Sequence, residues 1–275
     1  MRPHPREATP DEAAGLWPAV RAERLFDSAE QFAEYCSAGP WRIRVTDRGE
    51  AAVLGGWRGH LDVLAMRGVW CSSHHVAAFL DDARALASKR AYGRVLSPLL
   101  PRDLLGPYRR ERMVVCQQIT PIQGHPHGVQ RADPPRGVRF RGGTLDDVEV
   151  VAALDAVCFD DFWRYGTAEL SDLIATERLV VAESGQGGLI GYTLATVSRG
   201  AATLGRLGVA PAARRIGLGL ALVYEVARWA DGAGAETISL CTQEENAPAR
   251  KLYASAGLAE VSDIYGFAIG DVAQE

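Results

Sequence analysis

The chain is poor in the features that mark membrane, metal and nucleic-acid proteins. No stretch reaches the roughly 18 uncharged apolar residues that a membrane span needs. The opening MRPHPREATPDEAAGLW lacks the apolar core and small-residue cleavage site of a secretory leader, so a cytoplasmic protein without a membrane partner is expected. The five cysteines (Cys36, Cys71, Cys116, Cys158, Cys241) are odd in number, lie at least 35 residues apart and form no C-x-x-C pair. Neither a disulfide framework nor a zinc site is therefore expected, and the thiols read as reduced and mostly buried. Positive charge is not in excess: the net charge is −4, and no basic stripe interleaves with aromatics, which argues against a nucleic-acid partner. His125 and His127 have no carboxylate or cysteine nearby in sequence, so no metal is expected there.

What is present is an ordinary globular composition, 47% hydrophobic and 23% charged over 275 residues, enough for two domains with a core each. The seam is PIQGHPHGVQRADPPRG, rich in proline, glycine and charge and without apolar periodicity. It divides the chain into domains at 1–120 and 138–275 with a linker at 121–137. After it, GVRFRGG reads as a strand and Leu145–Phe159 as a helix, with TAELSDLIATE a second helix capped by Thr167. Next come two strands in RLVVAESGQGGLIGYTLATVSRG, joined by a Gly-rich turn, and a third in AATLGRLGVAP. The helix opening with RRIGLG, the strand TISLCTQ, the helix NAPARKLYASAG and a closing strand IYGFAIG complete the half. The first half has a similar order: helices over Asp11–Leu25 and Ser28–Ser37, strands WRIRVTD, AAVLGGWR and LDVLAMRGVW, a helix HHVAAFLDDARALASKR, then strand, short helix and strand. The class is α/β of the α+β layered kind, each half a mixed sheet covered by helices.

The helix that opens with RRIGLG has two glycines in its start, which helix propensity would not choose. A helix start leaves its first N–H groups unpaired and carries about half a positive charge, so it attracts anions. Glycines there let a phosphate approach the backbone, and Arg214 and Arg215 add cations. A dinucleotide fingerprint is the competing reading, but the glycines come late in the domain and Leu222 stands where its third glycine belongs. R-x-x-G-x-G (Arg214, Gly217, Gly219) after L-G-V-A-P, followed by N-x-x-A-x-x-L-Y-x-x-x-G from Asn246, resembles the GNAT N-acetyltransferases over roughly Val138–Gly270. The resemblance implies acetyl-CoA (coenzyme A) as cofactor and two GNAT-like domains, each a mostly antiparallel sheet flanked by helices, the N-terminal one degenerate. It places the pyrophosphate on Arg214, Arg215, Ile216, Gly217, Leu218, Gly219 and Leu220. It further sets the backbone of Leu207, Gly208 and Val209 against pantetheine and the acetyl carbonyl, Asn246 against the cofactor and Tyr253 near the sulfur.

Acetyl transfer from a thioester to an amine needs a neutral amine, donors for the developing oxyanion and a proton for the thiolate. The resemblance offers the amides around Leu207–Val209 for the oxyanion and Tyr253 for the proton. Asn246, before Ala-Pro, also suits a helix N-cap, with its NH₂ left free. Where ribosomal-protein acetyltransferases place a glutamate base, this chain has Cys241. Glu244, Glu245, Asp160, Asp161 or a water chain remain as bases. An acyl-cysteine route at Cys241 is disfavoured because no histidine follows position 127.

An acceptor pocket is suggested by CFDDFWRYG, with Phe159, Phe162, Trp163 and Tyr165 as walls and Asp160 and Asp161 as anions for a cationic amine; plugging the sheet edge is the alternative for these residues, and the favoured one for Phe159 and Trp163. The segment is similar to ribosomal-protein alanine N-acetyltransferases, which implies a peptide α-amine. Tandem GNAT proteins with one silent half, mycothiol-forming ones among them, imply a small thiol-linked amine instead. In the first half CSSHHVAAFL fills the matching slot without the Gly pair or Arg, as in a copy that has lost its cofactor. The expected function is amine acetylation by direct attack in a ternary complex; the alternative is a non-catalytic acyl-CoA-binding regulator. Oligomeric state is not legible.

Overall fold

The computed structural model describes residues 3–23, 25, 26 and 28–272; Arg24, inside the first expected helix, and the ends of the expected domains at 1–2 and 273–275 lie outside the described residues. The chain forms two compact units. One runs to Gln118 and takes in the chain again from Tyr265; the other spans Ile119–Ile264. The units thus divide the chain otherwise than boundaries at 120 and 138 would. Part of the stretch expected as linker is ladder strand, and the expected closing strand of the second half belongs to the first unit.

In the first unit the strands are β1 (Arg6–Glu7), β2 (Ile43–Val45), β3 (Ala51–Trp57), β4 (His60–Trp70), β5 (Arg94–Leu96) and β6 (Leu100–Pro101). β1 to β5 pair in that order, and β5 then pairs with Tyr265–Asp271. Among the described residues of this unit, β4 and β5 are the parallel pair. The expected helix over Asp11–Leu25 is two short ones, α1 (Pro10–Gly15) and α2 (Trp17–Ala22), because Pro18 has no N–H to continue a single helix. With α3 (Ala29–Ala38) they bury Ala13, Val20 and Phe32 against Ile43 and Val53. α4 (Val76–Lys89) packs Phe79, Leu80 and Ala83 on the other core, with Leu54, Leu64 and Met66, and the short α5 (Gly106–Arg110) adds Tyr108.

The second unit builds its sheet in the order β7 (Val114–Gly124, from Ile119 onward), β12 (Thr237–Gln243), β11 (Ala201–Val209), β10 (Leu189–Ser198), β9 (Arg178–Ser184) and β8 (Val138–Gly142). β13 (Ala259–Glu260) also pairs with β7, and β14 is the Tyr265–Asp271 strand of the first unit. Among the described residues β11 and β12 are its parallel pair. The expected mixed, mostly antiparallel sheet flanked by helices is what each unit shows. One face is covered by α8 (Leu218–Gly232) and α9 (Ala247–Ser255), whose Val223, Val226, Ala230 and Tyr253 meet Leu204, Ile238 and Leu240. The other is covered by α6 (Val148–Cys158) and α7 (Thr167–Thr176), with Val151, Leu154, Leu170 and Ile174 against Val181, Tyr192 and Leu194. The N-cap of α7 is Gly166 rather than Thr167; Glu169 returns to accept the Gly166 N–H at 2.8 Å. His125 Nδ1 bonds the Glu236 carbonyl and its ring stacks on His127.

Candidate functional site

The site is built where β11 and β12 part. They are in register only from Ala201–Thr203 against Thr237–Ser239, after which β11 continues to Val209 and β12 to Gln243 without pairing each other. A bulge explains the parting: Leu194 faces Arg206 while Ala195 faces Leu204, leaving Gly205 extra on β11, and such an insertion bends and twists the strand that carries it. Past the bulge β11 stays paired with β10 as far as Val209.

Backbone direction follows from the ladder. Ala210 N–H donates to Ile190 O at 2.9 Å, and alternate residues of a strand share a direction, so Gly208 turns to β10 while Leu207 and Val209 turn to the open side. Accordingly the Val209 carbonyl is free to accept Arg214 Nε at 3.1 Å. Of the three expected backbone contacts, Leu207 and Val209 face the slot and Gly208 does not. Gly208 serves packing, since a Cβ there would stand 2.5 Å from the Tyr192 ring.

The loop from β11 to α8 supplies a row of donors. Arg214 closes a short 3₁₀ turn, Arg215 is left-handed at φ 65° and Gly217, the N-cap, at φ 88°; the helix begins at Leu218 rather than at the arginines. The first intrahelical bond is Ala221 N–H to Gly217 O, and among the described residues no backbone acceptor faces the N–H groups from Arg215 to Leu220. Consecutive amides in alternating left- and right-handed conformation at a helix start form an anion cradle. Arg215 and Ile216 are exposed, Leu218 is buried, and Leu220 packs on the α8 core, so these last two offer backbone only. The two glycines have separate reasons. Around Gly217 a Cβ would meet nothing, and its positive φ is the requirement. At Gly219 a Cβ would come within 3.0 Å of Leu252 Cδ2, so this glycine lets α8 approach α9 rather than admitting a phosphate. Gly217→Ala is expected to cost about 1–2 kcal/mol through the left-handed backbone. Gly219→Val is expected to cost about 1–3 kcal/mol through overpacking. Urea unfolding of both variants checks this; an unchanged Gly219→Val would remove the packing account.

On the far wall, Asn246 caps α9, its Oδ1 accepting Ala249 N–H at 3.2 Å, and its NH₂, expected free, reaches Gln243 Oε1 at 3.4 Å. Tyr253 lies 7% exposed in the cluster that Leu207 and Leu220 border. Its hydroxyl has no hydrogen-bond partner among the described residues, and burial pushes its pKa up to about 12. Glu244 is half-buried just beyond β12, its carbonyl accepting Arg250 Nη1 at 3.0 Å; Glu245 is exposed. Cys241 is solvent-accessible on β12, and crowding around its sulfur holds the thiol above its ordinary value, the wrong direction for a nucleophile.

In the loop after α6 the aromatic side chains pack on the chain itself. Phe159 and Tyr165 lie against the Arg206 guanidinium, at 3.4 and 4.5 Å from its carbon to their ring centroids. Trp163 is buried with Phe162 edge-on to it at 5.0 Å. Asp160 Oδ1 accepts the Trp163 N–H at 3.2 Å, and Asp161 pairs with Arg164 at 3.0 Å, though both carboxylates remain exposed. Sequence reasoning missed the residues that organise this loop, Asp155, Tyr192 and Arg206. The signal was there: an aspartate inside the apolar run VVAALDAVCF and an arginine inside TLGRLGV occupy positions whose patterning calls for apolar side chains.

In the first unit β5 pairs with β4 at all three of its residues, Arg94–Leu96 against Val63–Ala65, and ends there while β4 runs on to Trp70. Its loop differs. Only Cys71–His75 separate β4 from α4, against Ala210–Gly217 in the second unit, and Glu50 Oε1 accepts the Ser72 N–H at 3.1 Å and pairs with His75 Nδ1 at 2.7 Å. A carboxylate of the chain itself thus occupies the β4–α4 loop.

Residues 149–258 match the model of the acetyltransferase (GNAT) family. No curated protein matches the chain. Among solved structures, a tandem GNAT protein from the clavulanic acid biosynthesis pathway is similar at 16% identity and TM-score 0.69, over 100% of this chain and 99% of that one. A GCN5-related N-acetyltransferase from Sphaerobacter thermophilus is similar at 17% identity and TM-score 0.65, over 99% and 96%. At such identities the likeness is one of fold. With the parted strands, the amide-lined loop and the family match falling on the same segment, the chain carries a GNAT-family acetyltransferase domain in its C-terminal half and has the fold of tandem GNAT proteins.

Proposed function

We propose that the second unit transfers an acetyl group from acetyl-CoA to a primary amine, a peptide N-terminus or a small-molecule amine, by direct attack in a ternary complex. The observation that carries this reading is the conjunction of the parted strands with the uncapped amides from Arg215 to Leu220 at one end of the gap. The amides and Arg215 fit a pyrophosphate, and the gap fits an extended chain that pairs with Leu207 and Val209 as the missing strand would. Asn246, its NH₂ held only by the long contact to Gln243, stands at the α9 start for the same ligand.

The chain's own groups then divide the work. The Leu207 or Val209 N–H donates to the carbonyl oxygen as charge develops on it. Glu244, shielded where Glu245 is not, takes the proton from the amine directly or through water. Tyr253, neutral over the whole working pH range, donates to the departing sulfur. Asp160 and Asp161, exposed on the loop after α6, draw a cationic amine toward the gap. The first unit, with its short loop occupied by Glu50, is a silent partner.

Acetyl-CoA is expected to raise the melting temperature in proportion to the logarithm of its concentration, with about 2.7 kcal/mol gained at 100-fold over Kd. Calorimetry should give one molecule per chain; two would restore the first unit as a cofactor site. A panel of primary amines, including peptides with a free N-terminal alanine, is then followed by release of free coenzyme A. Binding without release from any amine would leave the non-catalytic acyl-CoA-binding reading, which the loss of a glutamate at Cys241 favours.

A further inference from the structure

Asp155 is fully buried on the sheet-facing side of α6 and Arg206 is 6% exposed on β11, directly after the bulge. Arg206 Nε and Nη2 reach the two carboxylate oxygens at 2.8 and 2.9 Å, and the hydroxyl of Tyr192, on β10, donates to Oδ2. Every side of the carboxylate is used, because Oδ1 also accepts the backbone N–H of Tyr165 at 3.0 Å. On the guanidinium the flat faces are covered by Phe159 and Tyr165. An ion pair removed from water gains little stability relative to apolar residues of the same volume, so this one calls for another account. What distinguishes it is its reach: one end holds the loop at Phe159, Tyr165 and one peptide N–H, the other is the neighbour in sequence of Leu207.

We propose that the Asp155–Arg206 pair is a positioning element that locks the Cys158–Gly166 loop in register with the slot-facing amides of β11, so that binding of the amine acceptor depends on it and binding of acetyl-CoA does not. The inference rests on reading the slot as the acetyl-transfer site. The loop carries the exposed Asp160 and Asp161 and the strand carries the oxyanion donors, and a misplacement of either by about 1 Å costs on the order of 100-fold in rate. Arg206 sits between them, against Phe159 and Tyr165 of the loop and next to Leu207 on the strand. Because Arg presents a flat fork, lysine at this position keeps the charge and loses both the two-point bond and the stacking.

The test uses Asp155→Leu with Arg206→Met, a double change that removes the pair without stranding a charge, and Arg206→Lys beside it. The bond between Arg164 and Tyr165 is a trypsin site whose Tyr165 N–H is the one that Asp155 holds. In both variants, checked for a retained cooperative melt, cleavage there is expected to run at least tenfold faster than in the wild type. Acetyl-CoA affinity should stay within twofold, and the acceptor KM should rise at least tenfold with a smaller change in kcat. Cleavage at the wild-type rate together with an unchanged acceptor KM overturns the proposal, as does an equal loss of acetyl-CoA affinity. A wild type that releases no coenzyme A with any amine sinks the transferase reading and the acceptor part with it, while the cleavage rate still decides whether the pair tethers the loop.

Discussion

Asp155→Ala alone is expected to destabilise the second unit by about 3–5 kcal/mol, the cost of leaving a buried arginine unpaired. That lowers its melting transition by on the order of 10 °C. Three losses coincide. The Arg206 guanidinium, 6% exposed, keeps its desolvation cost without its anion. The Tyr192 hydroxyl, buried and raised above its ordinary pKa chiefly by that burial, loses its acceptor, and so does the Tyr165 N–H. The contrast with the double apolar variant is diagnostic: a much milder loss in Asp155→Leu with Arg206→Met attributes the cost to the stranded charge and not to the missing volume. Scanning calorimetry of the two side by side decides it, and equal losses would refute the electrostatic explanation.

Tyr253→Phe is expected to lower kcat about 100-fold with acetyl-CoA affinity unchanged. The size follows from burial. A hydroxyl pushed up to about 12 is a weaker acid than an ordinary thiol near 8.5, so it serves the departing sulfur mainly through a hydrogen bond in the transition state, toward the lower end of what acid catalysis supplies. Stability should be close to unchanged, since phenylalanine keeps the ring packed in its cluster. The same shift sets a pH expectation. The donor must be protonated, and its protonated fraction falls only as pH approaches about 12, so kcat of the wild type should show no loss from this group at pH 10, where an unshifted tyrosine would be half ionised. A decline centred near pH 10 that vanishes in Tyr253→Phe would show instead that the hydroxyl titrates normally.

The elements of the second half were legible because each is short-range. The i, i+3, i+4 apolar spacing of α8 reappears as Leu218, Ala221, Leu222, Val226 and Ala230 on one buried face, and Asn246 caps α9 as Asn before Ala-Pro should. The Arg214–Leu220 loop was legible as a helix start. The work of its second glycine was not, since Leu252 lies one helix away and contacts of that range leave no local mark. The loop at Cys158–Gly166 left two readings open for a related reason: aromatics interleaved with acids suit a pocket and a stacked plug, and only the tertiary structure sets Phe159 and Tyr165 against Arg206.

The sequence by itself determined which segments are helix and strand, where an anion-attracting helix start lies and which residues surround it, because periodicity, caps and glycine placement act over a few residues. The tertiary structure alone decided which strand completes which sheet, which amides turn to the gap and what the aromatics rest on. Ile119–Gly124 joins the second unit and Tyr265–Asp271 the first. Leu207 and Val209 face the gap because a single extra residue at Gly205 parts two strands. These outcomes depend on pairing register and on charges brought together across 51 positions of chain, from Asp155 to Arg206, and no local pattern encodes either.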